Sequence, residues 1–292
     1  MQQFVTTILN GITMGAVYSA FALALVLIWR STRIVNFAQA PMAMVTTYVA
    51  MNLIERGMNY WIAFIAALVA GFLLGAFVER VIVRPVEGKS DINAVILTLG
   101  LFIVLHSAAA LIFGSDYKSF PAAFGVRGIT VGGTNLAITP FGIFTILAVF
   151  AVMLLLLVLF LKTDIGLQMR ASAFNPEVAR LLGVRVSTML TLGWALAALV
   201  GSLSGLLIAG GNLVHPGYMD SVVVFGFVAA VIGGLDSPFG AVAGGMIIGL
   251  SLSLVSGYLG SGLVSFAALV ILVLVLLVRP GGLFSHTSER KV

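Results

Sequence analysis

The sequence predicts an all-α, polytopic membrane protein of about eight or nine transmembrane helices, with a broken or re-entrant helical hairpin near residues 222–256. Composition is the first reason. Hydrophobic residues make up 61% of the 292 and charged residues 9%, whereas an average soluble domain holds about 45–50% apolar and about 25% charged. A globule with so few polar groups could not cover its own surface, so its solvent must be lipid. The mean hydropathy of +1.18 agrees. Charge spacing is the second reason, because the charges bound apolar runs close to the length of a span, about 20 residues. Nine spans would use roughly 180 positions, which leaves no room for an independent ATPase, binding or catalytic domain.

A charge at mid-bilayer costs about 2.5–3.5 kcal/mol on insertion scales, so charge-free runs mark the spans. The first is 8–29 and stops at Arg30 and Arg33. The approach to it has no Lys or Arg to form a signal-peptide n-region, so it reads as a retained span. The second, 37–54, ends at Glu55-Arg56-Gly57, and the third, 61–78, is closed by Glu79 and Arg80. The fourth is 92–113, and a polar, Gly-rich external loop, 114–139, follows it. The fifth, 140–161, is the most apolar part of the chain, and a polar segment, 162–187, separates it from the sixth, 188–210. Between Asp236 and Arg279 lie 42 uncharged residues, about right for two helices with a turn in 257–262. Before them, 222–235 is only about 14 residues, a length more often re-entrant than spanning. Gly233, Gly234 and Pro238 are therefore the expected helix break, tolerated at membrane depth where protein surrounds it.

Basic residues set the orientation. One face collects Arg30, Arg33, Arg80, Arg84, Lys89, Lys162, Arg170, Arg180, Arg185, Arg279, Arg290 and Lys291, and the other only Arg56, Lys118 and Arg127. The rule that cytoplasmic loops carry the positive excess puts the N-terminus outside and the C-terminus in the cytoplasm. Five GxxxG pairs, at Gly11/Gly15, Gly71/Gly75, Gly201/Gly205, Gly240/Gly244 and Gly245/Gly249, let backbones approach closely in lipid. The pattern leaves open whether they serve internal packing or a subunit interface.

Several chemistries are excluded. The net charge of +5 fits basic cytoplasmic loops, and no basic run with interleaved aromatics points to nucleic acid. With no cysteine there is no disulfide, thiol nucleophile or thiolate metal site. Gly88-Lys89-Ser90 resembles the end of a phosphate loop, but Val83 stands where the motif needs glycine. His106, His215 and His286 are too scattered for a metal site. No span carries a central acid, which argues against a proton relay. The chain therefore reads as a non-enzyme with no cofactor of its own, driven from elsewhere.

The polar segment 162–187 is shaped to be held by something. Asn175 is a good N-cap, Pro176 suits the first helical position and Glu177 complements the positive helix end. Gly183 supplies the stop. A helix of about seven residues results, with Leu181 and Leu182 on an apolar face and Ala179 and Arg180 among its other positions. It reads either as an ordinary loop helix or as a rigid knob through which a separate motor applies force.

TDIGLQMRASAFNPEVARLLGV, followed by ALAALVGSLSGLLIAG, strongly resembles the bacterial permeases of branched-chain amino acid ABC importers, LivH type. The likeness continues in register at AVIGGLDSPFGAVAGGMIIGL, LLVRPGGLF, ILTLGLFIVL and NGITMGAVYSAFALALVLIW with NFAQ, so it covers almost the whole chain. It implies a single transmembrane permease domain, 1–292, in the inner membrane, with 162–187 as the ATPase-coupling segment. It also implies partners: a LivM-like second permease, two ATPase subunits holding ATP and Mg, and an extracytoplasmic solute-binding protein. Solutes in the family include branched-chain amino acids, urea and short amides; a secondary transporter or channel is the alternative from another class. Polar residues within spans are then path candidates: Asn36, Gln39, Thr98 and His106 first, with Asn10, Thr13, Thr46, Thr47 and Ser107. Hydroxyls more often bond their own helix, and His106 also reads as an interhelical bond. Two departures from the family pattern stand out, Ala40-Pro41 after NFAQ and Asp236 in LDSPFGA.

Overall fold

The computed structural model describes residues 2–86, 91–131, 134–136 and 138–284. Gly88, Lys89, Ser90, His286, Arg290 and Lys291, invoked above, lie outside them. Among the described residues the α-helices are α1 (Gln2–Thr32), α2 (Gln39–Glu55), α3 (Tyr60–Phe77), α4 (Asp91–Phe113), α5 (Pro140–Lys162), α6 (Asp164–Phe174), α7 (Pro176–Leu181), α8 (Val186–Ala209), α9 (Asp220–Gly233), α10 (Pro238–Tyr258) and α11 (Val264–Val278). Seven helical segments are long and apolar enough to cross a membrane, and α2 and α9 are shorter. This is an all-α, multi-pass membrane protein. Short strands occur only outside the helices. β1 (Lys118–Ser119) pairs antiparallel with β4 (Leu213–Val214), and β2 (Ile129–Val131) pairs antiparallel with β3 (Thr134–Leu136). The first pair ties the 114–139 loop to the α8–α9 connection.

Burial divides the helices sharply. In α1 and α8, 83% of the apolar window is inside the protein, against 11% for α4 and 6% for α11. Apolar packing gains nothing over lipid, so close approach must hold the centre together, and the GxxxG glycines supply it. A Cβ on Gly249 would strike the facing helix where α1 meets α10, on Gly71 or Gly75 where α3 meets α8, and on Gly201 where α8 meets α2, while one on Gly15 or Gly205 would be crowded at 3.1 and 3.0 Å. The pairs therefore serve internal packing. Along α1 the partner positions on α10 run in reverse, Gly11 by Leu250 and Gly15 by Met246, and Ser19 donates to the Val242 carbonyl at 2.8 Å.

That antiparallel register locates the hairpin break. Gly234 has φ +97°, open to glycine, and Pro238 takes the first turn of α10 behind Ser237, whose Oγ accepts from Gly240 N at 3.0 Å. The break is level with Trp29 and Arg33 at the far end of α1, because both donate to Asp236. It does not lie halfway along the bundle, as a re-entrant segment would place it. Leu283 N and Phe284 N donate to the Ile232 and Gly233 carbonyls at 2.7 and 3.2 Å, so the tail satisfies acceptors that the end of α9 leaves open.

The third span departs from expectation. Glu79 and Arg80 do not close it; the helix continues as a π turn, Val78–Val83, and a 3-10 turn, Arg84–Val86. The wider turn rolls Glu79 into the protein, where it is 1% exposed. Its carboxylate accepts from Arg84 at 2.9 and 3.1 Å and from Thr191 of α8 at 2.6 Å. Arg84 and Thr191 explain why the side chain can be buried: a buried acidic group is tolerated where it is paired and hydrogen-bonded.

Candidate functional site

The capping pattern read from 175–183 forms as expected. Asn175 Oδ1 accepts from Val178 N at 3.1 Å, Pro176 and Glu177 open α7, and Gly183 takes φ +83°. Sequence reasoning missed α6 before it. The signal was present in Thr163-Asp164, since Thr163 Oγ1 accepts from Gly166 N at 3.1 Å and the acid suits the first turn. Gly166 lets α6 fold back onto the Leu159 carbonyl and Phe160 at the end of α5. Two helices therefore form the segment.

One face of this pair is anchored and the other is bare. Ala179, 2% exposed, packs with Val186 and Leu190 in a small core of its own that Ala171 and Val184 edge. α7 is thereby fixed to the start of α8. Phe174, Leu181 and Leu182 point away, 93%, 88% and 78% exposed, with Val178 between them. These apolar side chains stand beside Glu177 and Arg180, outside the helices long enough to span a membrane. Exposed apolar side chains gathered on one short segment beside charge are the mark of an interaction surface. Phe174 was not read from the sequence. It lies one residue before the cap, and only the fold shows how fully it is exposed.

The base of α8 is also held from the side. Arg84 donates to the Ser187 carbonyl at 3.1 Å and to Thr191 Oγ1 at 2.7 Å while it pairs with Glu79. Displacement of α6–α7 therefore reaches α8 through the Ala179 core, and α8 is in turn clamped to the end of α3.

Three of the four leading path candidates converge on the turn between α1 and α2. Asn36 Nδ2 donates to Gln39 Oε1 at 3.1 Å, and Gln39 Nε2 donates to the Ala197 carbonyl of α8 at 3.0 Å, over the bare backbone of Gly201. Thr98 reaches its own Val95 carbonyl at 3.1 Å and the Val35 carbonyl at 3.4 Å. Asn36, Gln39 and Thr98 are all buried, so in this conformation they join α2, α4 and α8. His106 stands apart. Its ring lies 5.8 Å from that of Phe102 on the same helix, and among the described residues it makes no interhelical hydrogen bond. Thr13, Thr46 and Thr47 bond carbonyls of their own helices, while Asn10 and Ser107 are exposed. Tyr218, also missed, donates to Thr47 Oγ1 at 2.7 Å beside the Gly205 carbonyl. Burial pushes its phenol well above the usual range, so it stays a neutral donor.

Residues 7–278 match the family described as branched-chain amino acid transport system, permease component. The high-affinity branched-chain amino acid transport system permease protein LivH of Salmonella typhimurium is 28% identical over 99% of this chain and 98% of its own. BraD of Pseudomonas aeruginosa, a permease protein of the same description, is 27% identical over the same shares. A probable LivH of Methanocaldococcus jannaschii is 29% identical over 90% of this chain and 86% of its own. With nearly its whole length matched in order, the chain belongs to the family of branched-chain amino acid transport permease components.

Proposed function

We propose that this chain is the permease subunit of an ATP-driven importer in the bacterial inner membrane, and that α6–α7 is where an ATPase subunit docks. The observation that carries the reading is the bare ridge of Phe174, Leu181 and Leu182 on a pair of helices rigidly mounted on α8. Permeases of such importers work with separate ATPases and a binding protein. Here they are two ATPase subunits that hold ATP and Mg, a LivM-like second permease, and an external protein that delivers a branched-chain or related amino acid. The division of basic residues supports an N-terminus outside and α6–α7 in the cytoplasm.

Transport then follows from rigid coupling. Closure of the ATPases on ATP moves α6–α7 as one body, because close-packed contacts transmit strain. The Ala179 core passes that motion to α8, and the Arg84 clamp passes it to α3. Both helices pack against the bundle centre, so the motion opens a path between the two permeases to the outside, and the path then opens inward as the ATPases separate. This chain forms and breaks no bond.

Charge and ridge variants test the assignment. Glu177→Lys costs only about 0.3–1 kcal/mol at a helix end, too little to unfold the bundle, and Arg180→Glu reverses a surface charge. Both, and Leu181→Asp with Leu182→Asp, are expected to insert normally but to lower co-purification with the ATPase subunits, solute-stimulated ATP hydrolysis and uptake together. Native-rate transport in all three variants would show that the segment is an ordinary loop.

A further inference from the structure

A cavity of about 390 Å³ opens between α1, α5 and α10, within the size range of small-ligand sites, about 300–1,000 Å³. Its walls are leucine and phenylalanine, Leu23 and Leu157 among them, and its only charged lining residues are Arg30 and Arg170 at one end. From Arg30 to Leu23 the apolar part runs about 10 Å along α1 at 1.5 Å per residue. Phe150 and Phe239 at its walls are 60% and 67% exposed, so the cavity opens on the outer, lipid-facing side of the bundle.

The charge at its end is not balanced by the protein. Arg30 lies within electrostatic reach of Arg33, Arg170 and Asp236. Asp236 is already paired with Arg33, and among the described residues neither Arg30 nor Arg170 has an acidic partner at ion-pair distance. Cations at the end of a spanning helix call for an anion or for water. The apolar trough that continues from them calls for a hydrocarbon chain. A polar solute would satisfy the arginines and waste the trough, and an apolar helix would do the reverse.

We infer that this cavity is a binding site for an anionic diacyl phospholipid, its phosphate between Arg30 and Arg170 and an acyl chain laid along α1 toward Leu23. Basic pockets between membrane helices hold acidic headgroups in this way. The inference needs only that the chain spans a membrane, so its failure would leave the importer reading untouched.

Native mass spectrometry on the full chain, extracted with whatever subunits accompany it, tests the site. Phosphatidylglycerol and phosphatidylethanolamine are the probes, added back after delipidation. One phosphatidylglycerol per chain is expected to be retained in preference to phosphatidylethanolamine. Arg30→Gln with Arg170→Gln should weaken retention about twenty-five-fold, at roughly fivefold per arginine, while Arg127→Gln in the outer loop changes nothing. Leu157→Trp, which fills the trough and leaves the charges in place, should also displace the lipid, so the site remains testable if the double variant fails to fold. Equal retention of both lipids, or unchanged retention in the double variant and Leu157→Trp, would overturn the inference. So would a cysteine at 157 that cross-links to the second permease in place of taking up lipid.

Discussion

At the scale of single residues, glycine is needed in this bundle for what it lacks. A Cβ on Gly233 would fall on the Gly240 carbonyl, and one on Gly240 would fall on that of Gly233, so the arms of the hairpin touch through bare backbone. Gly100 on α4 has nothing within 4 Å of the same position. Gly233→Ala is therefore expected to cost about 1–3 kcal/mol, as overpacking does, and Gly100→Ala to be neutral or stabilising by up to about 1 kcal/mol. Thermal unfolding in detergent checks both, and equal shifts would refute the close approach. The need for a break here was legible, because Gly-Gly before Ser-Pro interrupts an apolar run. Its partner was not, since no local pattern points from residue 233 to 240. Asp236, a departure from the family pattern, is the acceptor for Arg33 and Trp29. Both charged side chains are more than half exposed, so the pair is worth about 0–1 kcal/mol.

Among the elements, α7 was readable in full and the end of α3 was not. Caps are local chemistry: Asn175, Pro176, Glu177 and Gly183 carry their own instructions. The π turn goes with tertiary contacts, since Arg84 after it bonds Thr191 and Ser187 on another helix, and a charge-counting rule ends the span about two turns too early. The hint lay in the spacing of Glu79 and Arg84, five residues apart, which meets on a π register but not on an α one. Removing one partner of a buried pair costs about 3–5 kcal/mol, because the other is left uncompensated. Arg84→Gln is expected to approach that loss, because it strands Glu79 at 2% exposed, and Glu79→Gln to fall short of it, because the Arg84 it leaves is 31% exposed. In a double-mutant cycle the pair should lose much less than the sum of the singles. Additive losses in thermal stability would mean that Glu79 and Arg84 act independently.

On the scale of the whole molecule, membrane class and helix order were legible because lipid imposes one rule on every residue that faces it. Which helices lie at the centre was not, since α5 is the more apolar of α1 and α5, yet it is α1 that is enclosed. The orientation prediction also belongs here. The chain has no cysteine, so single cysteines at Arg180 and Arg127 report sidedness without background. An impermeant reagent added outside is expected to label position 127 and spare 180, and the opposite result would invert the topology. The tail pairing of Leu283 and Phe284 with the end of α9 also bears on how the chain is made. Gly233 and Phe284 are 51 residues apart, and a ribosome adds about 5–20 residues per second. For roughly 2.5–10 s the nascent hairpin has emerged without its clasp, its last carbonyls open to any other donor. Translation speed over that final stretch, and whatever guards the newborn chain meanwhile, therefore sets how often the hairpin closes correctly.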